Sequence, residues 1–130
     1  MDDRSVTVKI GCGEDEQEYA LILTTRATIE IAEKYGGLDK MGEKMLQSGN
    51  EADALKELCW LIAVLANQTI MIYNLRHNDA PKKVVSAEEL ELITNPADLQ
   101  DLQSSVIEAI NKGMKRNVVS EEDGKNAQGE

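Results

Sequence analysis

SGNEADALKELCWLIAVLANQTIMIYNLR, residues 48–76, carries apolar side chains on most sides of a helix. Leu55, Leu58, Cys59, Ile62, Leu65 and Ala66 form one stripe at helical spacing, and Trp60, Leu61 and Val64 form a second. A helix apolar on most sides has to be surrounded by the rest of its domain. Asn50 is a good N-cap, and Glu51 and Asp53 in the first turn complement the helix dipole. The β-branched stretch after Thr69 keeps the same period, so the helix is expected to reach about Asn74. Its longest uninterrupted apolar run, Cys59 to Ala66, is far below the about 20 residues that cross a bilayer, and no membrane span is expected.

What surrounds this helix has to come from a chain of 130 residues, the size of one domain. Aromatic residues make up only 3% and phenylalanine is absent, so aliphatic side chains must build the core around Trp60. Residues 6–10, VTVKI, alternate with the period of a half-buried strand. After the glycine- and acid-rich GCGEDEQE, residues 19–23, YALIL, read as a second strand of a β-hairpin. That strand is apolar on both faces, so it is expected to be buried on both sides or to sit centrally between the first strand and a helix. Thr24 or Thr25 caps the next helix, whose expected inner face is Ile29, Ala32 and Tyr35, flanked by Thr28 and Ile31. Gly36 then suits a left-handed helix stop, with Leu38 folding back onto the last turn. A short helix over residues 40–47, weakened by Gly42, leads to the central one.

Beyond the loop RHNDAPKKV, Ser86 and Glu89 form a capping box for the short helix AEELELI. Asn95 and Pro96 open the last helix, with Leu99, Leu102, Val106, Ile110 and Met114 in one stripe beside Ala109 and Gly113. The fold class expected is α+β: an N-terminal β-hairpin packed on a mainly helical domain of four to five helices. Residues 1–118 form this single domain. Residues 119–130 are expected to be a disordered acidic tail, because from about Ser120 no apolar side chain is larger than alanine.

No catalytic, cofactor-binding or metal-binding residues emerge. His77, the only histidine, sits in a polar loop with Asn78 and Asp79 and reads as a surface residue. Glu14, Asp15 and Glu16 lack the alternating oxygens of a calcium loop and read as a solvated hairpin tip. The glycine pairs in GCG and YGG have neither phosphate-loop nor dinucleotide spacing. Cys12 and Cys59 read as free thiols, Cys59 within the core, and Trp60 reads as core. A net charge of −10 opposes phosphate binding, and the basic pairs Lys82 with Lys83 and Lys115 with Arg116 are too short to offset it. Of the two helices around YGGLDK, the second would have to read bases, yet it offers only Lys40 and Lys44 beside Asp39 and Glu43. The N-terminus has no apolar signal segment, and a cytoplasmic protein is expected.

EYALILTTRATIEIAEKYGGL, followed by LKELCWLIAVLANQ and AINKGMKR, resembles the tail assembly chaperones of siphophage-type tails, related prophages and gene-transfer particles. The specific part is the cadence Leu21, Leu23, Thr24, Thr25, Arg26, Ala27, closing at Gly36 and Gly37. Ala109, Ile110, Gly113, Met114 and Arg116 support it, and the similarity covers roughly residues 5–117. The resemblance implies a non-enzymatic protein without cofactors that binds the long helical tape-measure protein and keeps it soluble. The tail-tube protein is an implied second partner, recruited around the tape measure, and the chaperone is absent from the mature particle. In many relatives a ribosomal frameshift adds a second domain, and this chain would be the short product. The family has no active-site residues to carry over. Partners expected are therefore proteins, with neither nucleic acid nor membrane, and a homo-oligomer is compatible with this reading. The competing reading is a small phage-encoded regulatory or DNA-associated protein of a mobile element; a small enzyme is the third. Met41 to Leu46 and Leu99 to Met114 are the candidate contact surfaces, because methionine repacks easily; the alternative is that both segments only close the core.

Overall fold

The computed structural model describes residues 4–11, 13–47 and 50–115. Strand β1 (Val6–Ile10) pairs antiparallel with β2 (Gln17–Leu21), with Val6 opposite Leu21 and Ile10 opposite Gln17. Val8 and Ile10 are buried while Thr7 and Lys9 face solvent, so the period-two pattern holds in β1. Five helices follow: α1 (Thr25–Tyr35), α2 (Leu38–Gln47), α3 (Glu51–Arg76), α4 (Ala87–Ile93) and α5 (Pro96–Met114). The fold is α+β, a hairpin followed by a helical body. The expected tail 119–130 and Cys12 lie outside the described residues.

The second strand runs two residues earlier than the expected 19–23. Apolar side chains mark what is buried, whereas backbone pairing decides what is strand. Gln17 and Glu18 complete the ladder opposite Ile10 and Lys9 although both are exposed. Ile22 has left the sheet: its N–H donates to the Leu65 carbonyl of α3 at 3.3 Å. Leu21, Ile22 and Leu23 are nevertheless all buried, because this segment is wedged between hairpin and helices.

Thr24 caps α1. Its Oγ1 accepts from the Ala27 N–H at 3.0 Å and donates to Gln68 Oε1 at 2.5 Å. Gln68 is buried in α3, and its Nε2 donates to the Val64 carbonyl at 2.9 Å. The neighbouring Thr69 hydroxyl lies 2.9 Å from the Ala20 carbonyl. These bonds tie the exit of β2 to the middle of α3 and set the rotation of α1. The buried face of α1 is accordingly Ala27 and Ile31 with Tyr35 half-buried, a run at steps of four. The expected face of Ile29, Ala32 and Tyr35 is rotated away from this, and Ile29 is 52% exposed.

Gly36 ends α1 at φ +92°, its N–H donating to the Ala32 carbonyl at 2.7 Å. Gly37 follows at φ +144°. Helix α2 starts at once, at Leu38 rather than residue 40, and Leu38 is the first residue of the new helix, partly buried against the core. A Gly36→Val variant is expected to lose about 1–2 kcal/mol of stability, since a β-branched residue is strained at this φ whatever the space around it. Urea denaturation checks this, and an unchanged midpoint would contradict the left-handed stop.

Helix α3 continues to Arg76, two residues past the expected end, and contacts β2, α1, α4 and α5. Leu61, Ile62 and Leu65 are fully buried at its centre. By length and apolar composition alone this helix is also long enough to cross a bilayer; here Leu58–Ala66 is mostly enclosed by the other elements, with Trp60 half-buried. The loop after α3 is strapped back along it. Asn67 Nδ2 donates to the Val85 carbonyl at 2.7 Å and Asn67 Oδ1 accepts from the Val85 N–H at 2.8 Å. Asn74 makes the same reciprocal pair with Lys82, at 3.0 and 2.8 Å. Seven helical residues rise about 10.5 Å and three extended residues span about 10 Å, so the two spacings match.

Both remaining helices start as the caps indicate. Ser86 and Glu89 form the capping box of α4, and Asn95 forms one with Asp98 ahead of Pro96 in α5. On α5, Leu99, Leu102, Val106, Ala109 and Ile110 are buried, while Met114 is 61% exposed and leaves the expected stripe.

Candidate protein-binding furrow

Helix α2 packs chiefly on α1 and stands off from α5. The gap is an apolar furrow of about 360 Å³. Leu38, Met41 and Gly42 form its α2 wall, and Gln103, Ile107, Ile110 and Met114 its α5 wall. Met41 and Ile110 are buried in its floor, whereas Ile107 and Met114 stand 46% and 61% exposed at its edge. Gly42 widens it, because nothing lies within 4 Å of the position a Cβ would take. Gln103 also lines a second section of about 210 Å³, which runs on past Leu99 and Leu58 to Glu51 and Pro96. The two hollows share Gln103 and together follow one side of α5; the second is walled by α3 and Lys44 rather than by the α2 face that lines the first.

Both segments marked in the sequence meet here. The last helix serves two purposes: one side closes the core, and the adjoining side lines the furrow. Met41 is the described methionine of the α2 segment; the side chains of residues 45–47 lie outside the described ones. Nothing in the local sequence marks Ile107, Gln103 or Gly42 as a lining residue. Ile107 lies off the main stripe, and only a neighbouring helix at a distance turns such a position into a wall.

At the far end of α1 a polar cluster braces α1 against α3. The Tyr35 hydroxyl donates to Glu57 Oε1, and Lys34 Nζ lies 3.9 Å from the same oxygen. Trp60 meets Tyr35 edge-on at 6.0 Å, and Lys34 Nζ sits 4.9 Å from the Trp60 ring centre. Burial, and then the bond to Glu57, push the Tyr35 hydroxyl well above its usual pKa. Trp60 is thus half-buried in a structural cluster rather than sealed in the core.

The chemistry-bearing residues stay apart. His77 is exposed, stacked on Tyr73 with ring centres 4.0 Å apart. Cys59 is buried, and burial followed by the nearby Glu91 charge raises its thiol pKa, the opposite of an activated nucleophile. Glu14 and Glu16 are exposed around a short 3-10 turn, and no group of metal-ligating side chains occurs among the described residues.

No family model, curated protein or solved structure matches this chain.

Proposed function

We propose that this protein is a non-enzymatic tail assembly chaperone of phage or prophage type, which holds helical segments of a tape-measure protein in the α2–α5 furrow. The observation that carries this reading is the furrow itself: an apolar channel between two helices, edged by the exposed Ile107 and Met114. Such a channel suits the helix-in-groove mode, in which an amphipathic helix lays its apolar face between helical walls. A methionine-bearing lining adapts to varied apolar partners, which suits the apolar faces of a long helical protein. The cadence from Leu21 to Gly37 and the surplus acidic charge agree with it: a holdase needs exposed apolar surface and a charge that keeps it soluble.

The test is co-expression with the tape-measure protein encoded in the same gene cluster. The tape measure is expected to move from the pellet to the soluble fraction and to co-purify with this chain. Because the contact is mainly apolar, the complex should survive moderate salt, where surface charges are screened within about 10 Å. A tape-measure protein that stays insoluble with or without this chain would contradict the reading.

A further inference from the structure

We propose that the furrow selects one class of occupant: an amphipathic helix of about 18 residues whose apolar stripe is flanked by lysine or arginine. For its biological partner this inference rests on the chaperone reading above. The length follows from the two hollows that adjoin at Gln103 along α5. The furrow side of that helix runs from Pro96 to Met114, 19 residues, or about 27 Å at the helical rise.

The charge preference follows from the rims. Asp39 lines the furrow, and Glu43, one turn on, is exposed on the same side of α2. Glu51 lies at the far end. Across the gap, Asp101 and Glu108 are two turns apart and exposed, each within a step or two round the helix from the lining residues of α5. Against these five carboxylates, the cations lining or beside the rims among the described residues are Lys44 near Glu51, Lys40 on the outer side of α2, Lys115 past the end of α5, and Lys112. Glu108 shares its charge with Lys112 at 3.5 Å, an exposed pair that a better-placed cation can displace. The floor is apolar and the edges are acidic. An occupant with acidic flanks meets like charge along both rims, while one with basic flanks is steered in and held in register.

The experiment uses the full chain and two synthetic 18-residue peptides, both with the same leucine stripe at helical spacing. One carries lysine on both flanks, the other glutamate. Fluorescence anisotropy at low salt is expected to give at least about tenfold tighter binding of the lysine peptide, with the difference shrinking to about threefold or less at 0.5 M salt. Ile107→Asp, at an exposed position, should weaken the lysine peptide about tenfold or more while leaving the melting midpoint near that of the parent. The triple variant Asp39→Lys, Glu43→Lys, Asp101→Lys should reverse the preference. Equal binding of the two peptides, no binding of either, or an indifferent Ile107→Asp variant would overturn the inference. Retention of the tape-measure protein by Ile107→Asp would also overturn it while sparing the chaperone reading. Selective peptide binding with no retention of the tape measure would uphold the furrow and remove the chaperone reading.

Discussion

Gly113→Ala is expected to destabilise the domain by about 1–3 kcal/mol, although alanine is the better helix former. A Cβ at residue 113 would sit 2.5 Å from Leu23 Cβ and 3.0 Å from Leu23 Cδ2. Leu23 is 4% exposed, in the wedge between hairpin and helices, and has no room to retreat. The end of α5 would have to lift off the hairpin, giving up burial of Leu23. Gly113 stands in the last turn of α5, so fraying limits the loss for alanine, and Gly113→Val should cost more. Gly42→Ala provides the internal contrast. It lies inside α2 with open space around the same position, so it is expected to stabilise by up to about 1 kcal/mol. Urea denaturation of both variants gives the two signs. A Gly113→Ala protein as stable as the parent would contradict the close approach of α5 to Leu23.

Asn67→Ala is expected to cost about 2–4 kcal/mol. The substitution removes both bonds to Val85 at once, and Val85 is 8% exposed, so its N–H and carbonyl lose their partners away from bulk water. Each polar group left unsatisfied in that way costs about 1–3 kcal/mol. The same change at Asn74 breaks an equivalent pair with Lys82, but at an exposed site where water replaces it, and about 0.5 kcal/mol is expected. Equal effects at the two asparagines, measured by denaturation, would show that the loop is not strapped at its buried end.

These two asparagines also mark where sequence reading stops. Thr24, Gly36, Asn50, Ser86 with Glu89, and Asn95 with Pro96 act within a few residues of themselves, and each stands in the structure as its local pattern indicates. Asn67, Gln68 and Asn74 look like ordinary polar interruptions of an apolar helix. Their partners lie between 8 and 44 residues away, at Lys82, Val85 and Thr24. The rotation of α1 is not legible for the same reason: two stripes fit the helical period, and the Thr24–Gln68 bond chooses between them. The second strand was displaced because Ile22 bonds to Leu65 of a helix instead of to β1. The furrow was half legible. Methionine content and the α5 stripe mark the two segments that wall it, but the gap between them depends on how α2 leaves Gly37.

Exposed apolar residues occur elsewhere, and they make the site testable. Leu75 is 82% exposed at the end of α3 and Leu92 is 86% exposed on α4. The most direct test is carbene labelling of the full chain, free and in its co-purified complex with the tape-measure protein, read residue by residue by mass spectrometry. Ile107 and Met114 are expected to lose most of their labelling in the complex, while Leu75 and Leu92 keep theirs. Protection at Leu92 or Leu75 with Ile107 and Met114 still labelled would contradict the account and move the contact to another face.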